Sequence, residues 1–186
     1  AKLWVFAEQG GFYQVKVPER EQRGWIHNSQ VAKQELSADK KLQGQGLLRS
    51  IDAAMKLVDQ KQYAEAVNSY RTAIAIAVDV FGPQHFDTAD LRKSLAASLY
   101  FSGNLTESIA EFRESLNVFR RVRGSTDPKT IEVAEFTATA LMEGEQYQEA
   151  IPLFREVAQS SERRHMIGPA ASAYYDLGYL LHMEYQ

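Results

Sequence analysis

Gly82-Pro83-Gln84-His85-Phe86-Asp87-Thr88 returns 42 residues later as Gly124-Ser125-Thr126-Asp127-Pro128-Lys129-Thr130. The same interval holds along much of the chain. Leu57, Leu99 and Leu141 form one series, Tyr63, Leu105 and Tyr147 a second, and Tyr70, Phe112 and Phe154 a third. Charges recur as Glu65, Glu107 and Glu149 and as Arg71, Arg113 and Arg155. Ala54, Ala96 and Ala138 place a small residue in each unit, and Gly178 continues them at an interval of 40. A period kept in register at so many positions marks a repeat architecture, in which each unit buries its apolar face against the next.

Each unit reads as two helices. Leu91, Leu95 and Leu99 keep helical spacing up to the turn signal Ser102-Gly103-Asn104, and Leu105, Ile109, Phe112, Leu116 and Phe119 resume it beyond. Gly82 and Gly124 suit helix C-caps in a left-handed conformation, and Asp127-Pro128 suits an N-cap followed by proline at the first helical position. Helix pairs are predicted at 47–60 and 63–81, 86–102 and 105–122, and 128–144 and 147–164, with a seventh helix over 169–183. The small residues, Gly178 included, are expected where paired helices approach closely; Tyr70, Phe112 and Phe154 are expected to fill the space between units.

This arrangement resembles the tetratricopeptide repeat family, and its period with Gly82-x-x-His85-x-x-Thr88 between units is similar to the kinesin light chain subgroup. The likeness covers residues 47 to 186. It implies a mainly α, right-handed solenoid of about three and a half helical hairpins, with the first helix of each hairpin lining a concave surface. Two marks of relatives are missing. The paired asparagines before the small residue are replaced by Ile51-Asp52, Lys93-Ser94 and Glu135-Phe136, and the Lys/Asn clamp of chaperone-binding members is not recognisable.

Residues 1–31 differ in texture. Leu3-Trp4-Val5-Phe6, Phe12 to Val17 and Gly24-Trp25-Ile26-His27 read as short strands separated by Gly10-Gly11 and by Pro18 to Arg23. The stretch resembles the second half of a bacterial Src-homology-3-type barrel, implying a partial β-barrel or β-meander ahead of the solenoid. Residues 32–46 are polar and read as a linker with some helical character. Both ends look cut, so the chain is expected to be a segment of a longer protein. The opening helix, with Leu47, Leu48, Ile51, Ala54, Met55, Leu57 and Val58, is apolar nearly all round and is expected to be covered by the linker, the strands or a second subunit.

A net charge of −3 and a pI near 5.9 give no electrostatic reason to expect nucleic acid or an anionic membrane as partner. Cysteine is absent, which excludes disulfides, thiolate nucleophiles and cysteine-bound zinc. No run has the length of a membrane span, and composition leaves a cytoplasmic and a bacterial periplasmic or extracellular location both open. His27, His85, His165 and His182 do not pair at metal-ligand spacing, and no phosphate loop, nucleophile elbow or His-Glu-x-x-His stretch occurs. No catalytic residue, metal or cofactor is expected. His85, at the place of Asp127, reads as a turn or cap residue. Arg120, Arg121 and Arg123 read as a solvated helix end that complements the helix dipole.

The functional signal lies on the first helices. Places one and four beyond the small residue should face the groove: Met55 and Val58, Ala97 and Tyr100, Thr139 and Met142, Tyr179 and His182. Lys93, Glu135 and Tyr175 lie one turn earlier on the same face. Tyr and Met are enriched in protein interfaces. The expected function is a non-catalytic scaffold that binds a peptide or helix of a protein partner in this groove. Two alternatives stand beside it: the regulatory arm of a larger protease or kinase, and a structural segment that self-associates through its apolar first helix or its unfinished fourth repeat.

Overall fold

A computed structural model of the chain describes the backbone of residues 4–9, 12–16, 23–27 and 38–184, and the side chains of 43–182. Among these described residues seven helices follow three strands. They are α1 (Ala38–Asp59), α2 (Tyr63–Phe81), α3 (Phe86–Phe101), α4 (Leu105–Arg123), α5 (Pro128–Glu143), α6 (Tyr147–Arg163) and α7 (Ile167–Glu184). Each helix packs on the next in chain order, the arrangement of a helical solenoid.

Local chemistry explains the boundaries. His85 is the N-cap of α3, its Nδ1 accepting from the Asp87 N–H at 3.2 Å, and Asp127 caps α5 by accepting from the Lys129 N–H at 3.0 Å, with Pro128 opening the helix. Gly82 and Gly124 close α2 and α4, but not in the expected left-handed helical conformation. Their φ,ψ values of 95°, 158° and 80°, 161° lie in an extended region that is essentially glycine's alone. The left-handed residues stand elsewhere, at Lys61, Gly103 and Glu145, one in the tight turn inside each hairpin. His165 (φ 56°) adopts the same geometry between α6 and α7. That connection therefore uses the intra-hairpin kind of turn, which is why the Gly-x-x-His-x-x-Thr signature does not recur there and why the interval to Gly178 shortens to 40.

Ala54, Ala96 and Ala138 are wholly buried between paired helices, and Phe112 and Phe154 are sealed in the core. Ser108 donates from its hydroxyl to the Ala96 carbonyl at 2.8 Å, which ties α4 to α3 at this close approach. Gly178 departs from its series. A Cβ there would meet nothing within 4 Å, because no helix among the described residues lies on that side of α7.

Helix α1 begins at Ala38, inside the stretch expected to be a linker, and runs through Gly44 and Gly46. Two interior glycines cost about 1 kcal/mol each against alanine. Packing offsets this: Leu47 is buried against Ala73 and Ala77 of α2, and a Cβ on Gly46 would sit 3.5 Å from Ile76 Cδ1.

The strands, β1 (Trp4–Gln9), β2 (Phe12–Lys16) and β3 (Arg23–His27), pair antiparallel in the order β1-β2-β3, with an irregularity between Val5 and Ala7. Among the described residues the sheet has three strands in one meander, with β1 and β3 at its edges. The expected Src-homology-3-type barrel is accordingly not supported. Within 8 Å between Cα atoms, β1 approaches α1. Met55 remains 54% exposed within the chain. Among the described residues no helix is long and apolar enough to cross a membrane.

Candidate functional site

The first helices of the hairpins, α1, α3 and α5, with α7 continuing their row, carry nearly all the large apolar side chains left exposed. Met55, Phe101, Phe136, Ile167 and three tyrosines of α7 lie on or at the start of these helices; among the described residues only Val122 of α4 is exposed on a second helix. Burial of apolar surface drives folding, so large side chains that stay in water mark these helices as available for contact, with Phe101 and Phe136 turned toward second helices, where they stack on Tyr63 of α2 and Phe112 of α4, and Tyr174 donating to Glu162 of α6.

The expected groove residues fall into two groups. Tyr175 (77% exposed), Tyr179 (52%) and His182 project into solvent. Ala97, Tyr100 and Met142 are half-buried and pack on the main core, so they are floor rather than free surface. Thr139 is half-buried as well, its hydroxyl donating to the Glu135 carbonyl within the helix at 3.0 Å.

Polar groups bridge neighbouring first helices. Lys93 Nζ on α3 lies 3.2 Å from Glu132 on α5 and 3.4 Å from Asp90. Burial pulls the ammonium pKa down, but the two carboxylates outweigh it and hold Lys93 above its ordinary value. The Tyr100 hydroxyl donates to Glu143; burial, then this carboxylate, push its pKa up to about 12. Glu135 on α5 meets Ser172 and Asp176 of α7. Burial raises its pKa, the Ser172 hydrogen bond lowers it, and Asp176 and Glu132 raise it further. Burial also raises Asp176. Carboxylates therefore crowd this face. Asp90, Glu132, Glu143 and Asp176 were not among the residues expected from sequence. Asp90 and Glu132 each stand one helical turn before an expected groove residue, and that spacing was the available signal.

The second helices differ. Arg71 pairs with Glu107 at 2.6 Å, Arg113 with Glu149 at 2.7 Å, and Arg120 with Glu156, each bond spanning 36 residues. The arginines stand in the last turn of α4, as expected for residues that complement the helix dipole, and they also bond across the stack: Arg121, which is exposed, donates to Gln84, and Arg123 pairs with Asp127 and lies 4.4 Å over the Phe86 ring.

Between α1, α2 and α3 a cavity of about 400 Å³ opens, lined by Leu48, Ile51, Met55, Tyr70, Asp90 and Leu91 among others. Among the described residues, no three His, Asp or Glu side chains are grouped to hold a metal ion.

Comparison with known proteins identifies the repeats. Tetratricopeptide repeat models match residues 54–87 and 90–163, and these segments are tetratricopeptide repeats. No curated protein sequence matches the chain. Solved structures with the same fold include the nearly identical TPR-like repeats of a putative kinesin light chain from Podosopora anserina, at 18% identity and a TM-score of 0.65, covering 72% of this chain and 64% of that one. The Rap conjugation gene regulator of plasmid pLS20, in complex with the Phr* peptide, aligns at 13% identity and a TM-score of 0.66 over 82% of this chain and 42% of its own. The TPR domain of Arabidopsis FLU aligns at 17% identity and 0.57, over 65% and 98%. At these identities the likeness shows the fold alone. This chain spans less than two thirds of the kinesin light chain and Rap structures. The family matches begin at residue 54, so neither the barrel resemblance nor the bacterial source it implied gains support.

Proposed function

We propose that the chain is a non-catalytic interaction scaffold, a right-handed stack of hairpins whose concave side, lined by α1, α3, α5 and α7, holds a peptide or helix of a protein partner. The observation that carries this reading is the concentration of exposed Met, Phe and Tyr on the first helices, against a single large apolar side chain, Val122, left exposed on the second helices among the described residues. The Rap regulator, which shares the fold, was solved with a peptide, and this agrees with the reading. Tyr175 and Tyr179 are the residues to test, because their exposure lets them be removed without opening the core. Affinity capture by the wild-type chain should recover partners that Tyr175→Ala/Tyr179→Ala loses. Equal recovery by both would count against the groove.

A second reading, self-association, is favoured by the uncovered side of α7, where Ile167, Tyr174 and the open notch at Gly178 meet solvent. Light scattering across a concentration series tests it: a rising mass that Gly178→Glu abolishes supports it, and a constant monomer mass rejects it.

A further inference from the structure

We propose that the cavity between α1, α2 and α3 is the specificity pocket of the groove and takes a segment of a partner protein in which a lysine or arginine adjoins large apolar side chains. The inference rests on the groove reading above and narrows it to one chemistry.

The walls dictate the apolar part. Leu48, Ile51 and Met55 of α1 face Leu91 of α3 across about 400 Å³, the volume of a few side chains rather than of a whole domain. Met55 is the most adaptable of them and the most exposed, so it can close over an inserted side chain. The charge comes from the α3 side. Asp90 lies on the wall, 43% exposed, and the one ammonium beside it, Lys93, is shared with Glu132 of the next repeat. Asp87 stands at the same wall with His85 Nδ1 3.4 Å from its carboxylate. Further along the first helices Glu132, which shares Lys93 with Asp90, is followed by Glu135 and Asp176, so carboxylates outnumber the ammonium along this row. The Tyr70 and Ser94 hydroxyls of the floor are hydrogen-bonded to each other, and Ser94 donates to the Asp90 carbonyl at 3.2 Å, so the charge that meets the inserted group is that of the wall carboxylates. A phosphorylated or acidic segment would be repelled by the same field.

The test uses the full chain and two labelled peptides, three copies of Leu-Lys-Lys-Leu and three of Leu-Glu-Glu-Leu, with binding read by fluorescence anisotropy. The lysine peptide should bind more tightly than its glutamate counterpart by about tenfold or more. Asp90→Asn should weaken it about fivefold and Met55→Ala about threefold. Glu114→Gln, an equal loss of charge on the exposed side of α4, should leave affinity unchanged. Thermal melts of the variants confirm that the fold is retained. A photo-crosslinker at position 55 should label the lysine peptide. Crosslinking instead to the chain's own residues 1–37, or to a second copy, would overturn the proposal by naming another occupant. Equal affinity for both peptides, or indifference to Asp90 and Met55, would overturn it while leaving the groove to be judged by the Tyr175/Tyr179 variant. No binding of either peptide would also end it.

Discussion

The first and second helices of each hairpin share one core yet treat their outward faces in opposite ways. On the second helices arginine meets glutamate 36 residues on, from Arg71 to Glu107 and from Arg113 to Glu149, so these pairs repeat with the period of the chain. On the first helices the bridges are irregular. One lysine serves two carboxylates, a tyrosine caps a third, and Glu135 and Asp176 are left close together. A face with exposed aromatic rings and surplus carboxylate is suited to a partner, and the contrast between the two is the basis of the functional reading.

The strongest way to break the contrast is to attack the seam that joins the two faces. Ala138→Leu should cost about 3 kcal/mol in denaturant unfolding, since the side chain is wholly buried between α5 and α6 and the core has no room for it. Gly178→Ala, at the corresponding place on α7, should do the reverse and raise stability by up to about 1 kcal/mol, because open space surrounds it and alanine favours the helix. If both substitutions destabilise equally, α7 is covered in solution.

Thr88 and Thr130 sharpen the same point at lower amplitude. Both are buried; Thr88 donates to the Gly82 carbonyl at 2.9 Å, whereas the Thr130 hydroxyl has no partner among the described residues. Thr88→Val should cost about 1 kcal/mol, and Thr130→Val should be neutral or stabilising. On the outer ladder, a double-mutant cycle on Arg113 and Glu149 should give a coupling of only about 0.2–1 kcal/mol that fades in salt, since both side chains are substantially exposed.

The smallest effect is in the pH profile. Glu135 and Asp176 hold protons in the folded state at a pH where the unfolded chain has released them. Their contribution is therefore full below the ordinary carboxylate pKa values and lost as pH rises through the raised ones. Glu135→Gln should flatten that part of the stability curve. Tyr100, raised to about 12, should titrate after the ordinary tyrosines, and its contribution should fade from about pH 10 upward as pH approaches that value.

Much of the solenoid was legible because its period is written in residues that must be buried. Ala54, Ala96 and Ala138 announce helix contacts, and the caps at His85 and Asp127 announce helix starts. The start of α1 was not legible, since two glycines and a polar composition argue against a helix that tertiary packing on α2 nevertheless sustains. The groove was legible in part. Counting from the small residue picked out Tyr175 and Tyr179, which are exposed, but it could not separate them from Tyr100 and Met142, which pack on the core, because that depends on how far each helix rotates against its neighbours. The place of Arg120, Arg121 and Arg123 in the last turn of α4 was legible, but their bonds were not. Their partners, Glu156, Gln84 and Asp127, come together only once the repeats stack.

Hydrogen–deuterium exchange of the chain, with and without a captured partner, tests the central claim most directly. Slowed exchange in α3, α5 and α7, with α4 and α6 unchanged, is the predicted result. Protection confined to α4 and α6 would place recognition on the charge-paired outer side and contradict the account.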